Sequence, residues 1–235
     1  MTALQMHRPA PTLRSLNWLR AGVLGANDGI VSVAAIVVGV AGATSEIAPI
    51  LTAGVAGLVG GAISMALGEY VSVSSQSDSE RALIAKEKRE LAEMPEAELE
   101  ELAGIYVAKG LRPETARQVA VELTAHDAVA AHLSAELNLD ETDVVSAWHA
   151  AGASAASFTI GAILPMLAIL LPPAAWRVPA TFVAVLVALA LTGWISGLLG
   201  GSSKLKSVLR VVIGGAIALV ATFGIGSLLG ASGIA

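Results

Sequence analysis

Nine side chains in this sequence have the chemistry and spacing of cation ligands. Three lie in otherwise apolar sequence, namely Asp28, Met65 and Glu69. The other six lie in a strongly acidic stretch, namely Glu87, Glu90, Glu98, Glu101, His132 and Glu136. Carboxylates favour hard divalent ions, whereas imidazole and thioether groups favour later transition metals. These residue types together indicate the binding of a divalent metal ion.

Asp28 lies about eight residues past Arg20, roughly 12 Å into the first apolar run if that run is helical. A carboxylate near the centre of a bilayer costs roughly 2.5–3.5 kcal/mol on insertion scales, so an acid in this place is a candidate functional residue. Alternatively, Asn27-Asp28-Gly29 is a helix break or cap near the membrane interface.

Met65 and Glu69 are four residues apart and therefore share one face of the second apolar helix. That helix runs back towards the side on which the first one starts, so Asp28, Met65 and Glu69 can converge. Two carboxylates and a thioether fit Fe²⁺ or Mn²⁺ better than Na⁺ or Mg²⁺. Taken alone, Met65 is also typical of core filling. Two neighbouring acids raise at least one pKa, so such a site can exchange a proton for a metal ion.

The acids of the second group recur at helical spacing. Glu87 and Glu90 are three residues apart, as are Glu98 and Glu101, and Glu136 follows His132 by four. Inward-facing glutamates on adjacent helices form the carboxylate sites of iron and manganese proteins. For any single pair a solvated charged face is the commoner arrangement. The confinement of the negative charge to one segment favours a metal-binding domain, because its field concentrates cations.

The composition indicates which elements must position these groups. Of the 235 residues, 55% are hydrophobic and only 14% are charged, whereas soluble domains carry about a quarter charged residues. Five apolar runs each reach the roughly 20 residues needed to cross a bilayer, and the backbone of such a run must be helical. The runs are 21–43, 47–68, 150–176, 178–203 and 211–235. The sequence therefore predicts an all-α polytopic membrane protein with five transmembrane helices.

Charge divides the chain further. Residues 73–147 hold 16 of the 19 acids but only seven of the 14 bases. Apolar stripes within this segment predict a three-helix insert between the second and third spans, with helices over 74–93, 96–109 and 113 to about 137. The predicted domains are an N-terminal arm (1–17), transmembrane helices 1 and 2 (18–72), an acidic helical metal-binding domain (73–147) and transmembrane helices 3 to 5 (148–235).

Orientation follows from the basic residues. With five spans, every base except Arg177 falls on the side of the N-terminus and the acidic insert. The positive-inside rule makes that side cytoplasmic and places the C-terminus opposite. The short N-terminal arm favours a bacterial plasma membrane, with the membrane of a vacuole-like organelle as the alternative.

Several functional classes are excluded by the same sequence. With no cysteine, the chain has no disulfide, zinc–thiolate or thiol redox chemistry. Its net charge of −5 argues against a nucleic-acid partner. The sequence contains no nucleophile–histidine–acid constellation and no nucleotide-binding loop, so we expect no enzyme, no prosthetic group and no use of ATP. A transporter with this sequence must run on ion gradients.

Five segments resemble parts of the vacuolar iron transporter family. The segments LRAGVLGANDGIVSVAAIVVGV (19–40) and GLVGGAISMALGEYVSVSSQSD (57–78) are similar to its first two spans. The segments EKRELAEMPEAELEELAGIYVAKGL (87–111) and AHDAVAAHLSAEL (125–137) are similar to its cytoplasmic insert, and ASFTIGAILPMLAILLP (156–172) is similar to its third span.

The resemblance implies a homodimer of five-span protomers that moves Fe²⁺, and often Mn²⁺, out of the cytosol in exchange for protons. It places the pathway carboxylate on Asp28, the second-span methionine on Met65 and a further acid on Glu69. It places the metal-binding glutamates of the insert on Glu87, Glu90, Glu98, Glu101 and Glu136. Where plant members carry two methionines, this chain has His132 and Leu133, which makes His132 a candidate replacement ligand.

Two other functions fit the same residues. A membrane-anchored metal buffer or sensor would bind metal without transporting it, but an anchor has no need of a buried Asp28. A structural membrane scaffold would show no change in thermal stability on addition of metal, whereas a binding protein would be stabilised.

Overall fold

The computed structural model describes residues 13–139 and 146–233, with side chains from residue 22 onward. Residues 1–12 of the predicted N-terminal arm and residues 140–145 of the predicted insert lie outside the described residues. Within the described ranges the chain forms helices and no strand. The predicted all-α class is therefore confirmed.

Five long helices are apolar and long enough to cross a membrane, as the sequence predicts. They are α1 (Leu13–Ala43), α2 (Ile47–Glu93), α5 (Ala147–Leu170), α6 (Arg177–Leu199) and α7 (Lys204–Ala231). The 47 residues of α2 extend for about 70 Å, more than twice the thickness of a bilayer core. The apolar part of α2, residues 47–68, is long enough to cross a bilayer core on its own.

Helix α1 is the central helix of the membrane unit. One face packs through Ile30, Ala34 and Val38 against α6 and α7. Another face packs through Val33 and Val37 against α2 and α5. Because α1 is apolar on several faces, it can pack against neighbouring helices on more than one side.

Glycines allow the backbones of these helices to meet. A Cβ on Gly29 of α1 would collide with the Phe158 carbonyl of α5, and one on Gly161 of α5 would collide with the Ala26 carbonyl of α1. On α7, a Cβ on Gly226 would collide with the Gly39 carbonyl of α1. The hydrophobic effect between helices is weak in lipid, so transmembrane helices associate through van der Waals packing. Small residues at the crossings allow the close backbone contact that this packing needs.

The side chain of Arg177 joins the connection between α1 and α2 to the start of α6. The Nη1 atom of Arg177, the first residue of α6, donates a hydrogen bond of 2.9 Å to the carbonyl of Ser45 between α1 and α2. A short 3₁₀ turn, Ala174–Trp176, precedes α6. The α1–α2 and α5–α6 connections therefore lie at the same end of the unit.

The second compact unit of the chain is Tyr70–Ala147. It contains the polar part of α2, then α3 (Pro95–Ala108) and α4 (Pro113–His132). Helix α3 ends as the sequence predicts: Gly110 adopts a φ of 102°, and the amide of Leu111 donates to the Tyr106 carbonyl, which is a Schellman cap. Leu102, Ala103 and Ala120 form the core between α3 and α4.

The third helix of this unit differs from its predicted extent. It does not run regularly to Leu137: Asp127 adopts an extended conformation (φ −160°, ψ 99°) inside α4, and its Oδ1 accepts a hydrogen bond of 2.9 Å from the Ala130 amide. Asp127 thus ends one helical segment and caps the next, because short acidic side chains compete for backbone amides. A π-helical turn, Leu133–Leu137, follows His132.

Candidate metal centre

Three helices of the Tyr70–Ala147 unit each contribute one side chain to a buried polar cluster. Glu87 lies on α2, Glu98 on the first turns of α3, and His132 is the last residue of α4. Their candidate ligand atoms all lie within 4.8 Å of one another. The residues are only 3%, 5% and 0% exposed, respectively. Such burial is rare for charged groups unless they are paired or bind a metal ion.

The orientation of these side chains fits a shared cation better than direct pairing. His132 Nδ1 lies 3.0 Å from Glu87 Oε1 and 3.7 Å from Glu98 Oε2. In spite of the short distance, Glu87 Oε1 and both ring nitrogens of His132 make no hydrogen bond. A buried polar atom without a partner costs roughly 1–3 kcal/mol. A dication among the three groups would satisfy the carboxylates and one imidazole nitrogen together.

The electrostatics of the cluster favour the protonated form of both buried carboxyls. Burial raises the pKa of the Glu87 carboxyl above its ordinary value, and the negative charge of Glu136 raises it further, while His132 opposes the shift. Burial likewise raises the pKa of Glu98, with a further contribution from Glu101. Both carboxyls therefore hold protons more tightly than exposed glutamates do. A metal ion bound by these carboxyls would compete with protons for the same oxygen atoms.

Glu90, Glu101 and Glu136, the other predicted ligands, lie around the buried cluster. Glu90 Oε2 forms an ion pair of 2.7 Å with Lys86 Nζ on the same helix. Glu101 and Glu136 are exposed. All three lie close enough to raise the pKa of at least one buried carboxyl. The described geometry thus separates three buried ligands from three outer carboxylates, which spacing alone did not distinguish.

The predicted membrane group lies in the other unit. Met65 packs against α1, because its Cε lies 3.7 Å from the position that a Cβ on Gly25 would take. Asp28 is one turn further along α1 and only partly exposed. Since α1 and α2 run antiparallel, Glu69 lies one turn from Met65 in the opposite direction. The structure therefore arranges the two carboxylates on either side of the thioether along the helices.

One contact of Asp28 was not predicted from the sequence. Ser32 donates a hydrogen bond of 2.7 Å to Asp28 Oδ1. The two residues are four apart, a spacing that places them on one helix face, so the signal was present in the sequence. The bond restricts the carboxylate and leaves Oδ2 to other partners. Ser32 is thus a positioning residue for Asp28.

Comparison with known proteins follows the same motifs. The model of the VIT family matches residues 19–227. A vacuolar iron transporter of Acanthamoeba castellanii is 40% identical over 227 residues, which covers 96% of this chain and 84% of that protein. The vacuolar iron transporter homolog 4 of Arabidopsis thaliana is 36% identical and covers 92% of this chain and 86% of its own. The vacuolar iron transporter homolog 1 of Oryza sativa is 37% identical, and the alignment covers 92% of this chain and 76% of that protein. As its motifs predict, the chain belongs to the VIT family.

Proposed function

We propose that the protein is a proton-coupled secondary transporter that exports Fe²⁺, and also Mn²⁺, from the cytosol. The observation that carries the proposal is the buried Glu87–Glu98–His132 cluster, whose ligand atoms converge without hydrogen bonds to one another. Two carboxylates and an imidazole suit first-row dications better than Ca²⁺ or Mg²⁺, which prefer oxygen ligands alone. The names of the relatives, which are iron transporters, support the same cargo.

In this proposal the acidic domain, residues 73–147, captures the metal ion. The outer carboxylates of Glu90, Glu101 and Glu136 attract dications, and the buried cluster binds them. The surplus of acids in this segment supports such capture, because a field of one sign raises the local concentration of counter-ions. Helix α2 carries both Glu87 of this domain and the membrane residues Met65 and Glu69.

The proposed path through the membrane runs along Glu69, Met65 and Asp28. Ionisable residues within membrane helices mark ion pathways by default, because the cost of burying them is offset only when an ion or proton uses them. The contact of Met65 with α1 at Gly25 supports a path between α1 and α2. The Ser32 hydroxyl keeps Asp28 Oδ1 in a fixed position for the passing ion.

Proton coupling is supported by the chemistry of the ligands. A carboxyl that binds a metal ion in its ionised form binds a proton in its absence, so the two cargoes compete. The raised pKa values of Glu87 and Glu98 are in the direction that such competition needs. The chain has no nucleotide-binding motif, which leaves an ion gradient as the source of energy.

We further propose a homodimer with the N-terminus and the acidic domain in the cytoplasm and the C-terminus on the opposite side. The distribution of Lys and Arg supports this orientation. We favour a bacterial plasma membrane, and a vacuole-like membrane is the alternative, since the relatives are named vacuolar.

The test is metal flux in proteoliposomes that contain the full chain. We expect an imposed proton gradient to drive Mn²⁺ and Fe²⁺ uptake by the wild type, and Asp28→Asn to reduce this flux to the level of empty vesicles. Glu46→Gln is the matched control, because Glu46 is an exposed acid in the connection between α1 and α2. Full flux in Asp28→Asn would refute the assigned pathway.

A membrane-anchored metal buffer or sensor is the second candidate. It is favoured by one observation: the buried cluster lies wholly within the Tyr70–Ala147 unit and uses no residue of the other unit. The same vesicles separate the two functions. A buffer predicts tight metal binding by the wild type with no gradient-driven flux above that of protein-free vesicles.

A further inference from the structure

A cavity of about 560 Å³ with both polar and apolar walls lies between α1, α6 and α7, and Met65 does not line it. Its polar lining consists of one guanidinium, one amide and four hydroxyl groups. These belong to Arg210, Asn27, Thr192, Ser196, Ser202 and Ser207. The metal path proposed above uses none of these side chains.

Arg210 has no anionic partner in the described part of the chain. It makes no ion pair or hydrogen bond with any described side chain, and the sequence from residue 148 to residue 235 contains no Asp or Glu. A guanidinium offers five donors in a planar fork that matches the oxygens of phosphate. Arg210 is exposed, so an anion that approaches the cavity from outside the chain can reach this guanidinium directly.

The depth of the cavity places that anion at a membrane surface. Lys204 Nζ lies 5.8 Å from the centre of the Trp194 ring, and Trp with Lys is typical of the boundary between lipid and water. Arg210 is six residues past Lys204 on α7, about 9 Å further along the helix. A long basic side chain at that depth extends its charge towards the headgroup region.

The other walls of the cavity are apolar. Val23, Leu24, Leu199 and Val211 line it together with the polar groups, and Leu24 is 65% exposed. A small inorganic anion would leave this apolar surface in contact with water. A phospholipid has both parts, since its phosphate matches the polar lining and its acyl chains match the apolar walls.

The polar lining is held in place from two sides. Thr192 Oγ1 donates a hydrogen bond of 3.0 Å to Asn27 Oδ1, which joins α6 to α1. The hydroxyls of Ser202 and Ser207 lie 3.3 Å apart across the start of α7. The Thr192 bond uses the hydroxyl hydrogen and orients the Asn27 amide, whose Nδ2 remains a donor. An oriented amide beside a guanidinium is a preorganised pair of donors for phosphate oxygens.

From this geometry we infer that the cavity binds the phosphate of an anionic phospholipid, with Arg210 as its charged partner. Basic pockets between transmembrane helices are the usual sites of anionic lipids. The inference does not depend on metal transport. The lipid would join α1, α6 and α7 at the end of the bundle where α6 turns into α7.

The experiment is native mass spectrometry of the full chain in detergent, with phosphatidylglycerol or phosphatidylcholine of the same acyl chains added. We expect the wild type to retain phosphatidylglycerol in preference to phosphatidylcholine. Arg210→Gln should weaken this retention by at least about tenfold, the factor that corresponds to one lost hydrogen bond to a charged group. Arg210→Lys should restore part of it. Lys206→Gln is the matched control, because Lys206 is exposed on the same helix and does not line the cavity.

Two further arms keep the inference testable. Ser196→Leu fills the cavity from an exposed position on α6 and should lower phosphatidylglycerol retention without removing a charge. Inorganic phosphate at millimolar concentration should not compete with the lipid. Equal retention by Arg210→Gln and the wild type, or displacement of the lipid by inorganic phosphate, would overturn the assignment.

Discussion

Replacement of Glu87 by Gln should change the stability of the acidic unit in opposite directions with and without metal. Glu87 is 3% exposed, and its Oε1 has no hydrogen-bond partner. In the metal-free protein the carboxylate is therefore a buried group that costs roughly 1–3 kcal/mol. Glutamine keeps the shape and removes the charge, so we expect the metal-free variant to be more stable by about 1 kcal/mol.

The metal-bound form should show the reverse. At a Mn²⁺ concentration 100 times its dissociation constant, the wild type gains about 2.7 kcal/mol by mass action. Loss of one of three buried ligands should weaken binding about 100-fold, the upper end of the effect of removing groups that only support a ligand. The variant then gains only about 0.4 kcal/mol at the same concentration. With metal present, the wild type should be more stable by about 1.3 kcal/mol.

Hydrogen exchange of the α3 and α4 amides measures this difference directly. The exchange of core amides reports the free energy of opening of the unit in the full-length protein, first with EDTA and then with Mn²⁺. Glu93→Gln is the matched control, because Glu93 is an exposed glutamate at the end of the same helix and should behave as the wild type in both conditions.

The order of stabilities is the decisive result. If Glu87→Gln is less stable than the wild type in EDTA and gains as much from Mn²⁺, the carboxylate is a structural partner of His132 and not a metal ligand. The same result would remove the main support for metal capture by the acidic domain.

Three other outcomes are expected. Burial raises the pKa of both buried carboxyls above 4.5, so between pH 4.5 and the raised values the metal-free native unit binds more protons than the unfolded chain. The stability of the unit should therefore fall as the pH rises through that window. A free energy of urea denaturation in EDTA that does not change with pH would contradict this. Ser32→Ala should lower gradient-driven Mn²⁺ flux by about tenfold or more, since a hydrogen bond to a charged group contributes about 1.5–3 kcal/mol, while calorimetric binding by the acidic unit stays unchanged. Thr222→Ala, whose hydroxyl bonds only to its own helix, should keep full flux. Gly226→Ala should destabilise the membrane unit by about 1–3 kcal/mol in thermal melts, because the added Cβ would collide with the Gly39 carbonyl. Gly214→Ala is the control: a Cβ on Gly214 would have no atom within 4 Å, so this variant should be neutral or slightly stabilising.

Much of this protein was determined by the sequence alone. The length and apolarity of five runs specify helices, because a backbone in lipid has no other hydrogen-bond partners. Pro95, Gly110 and Pro113 mark helix ends through backbone constraints that act locally. The family was likewise evident from motifs that surround Asp28 and Met65, which the family match over residues 19–227 confirms.

The tertiary structure decided which acids are buried. Glu87, Glu90, Glu98 and Glu101 look alike in sequence, and only the packing of α2, α3 and α4 separates the buried pair from the outer pair. Burial is a property of several helices together, so no spacing within one helix can predict it. The break at Asp127 was also not predicted, because helix propensity does not report where a short acidic side chain will compete for a backbone amide. The cavity at Arg210 also requires three helices that are distant in sequence to meet.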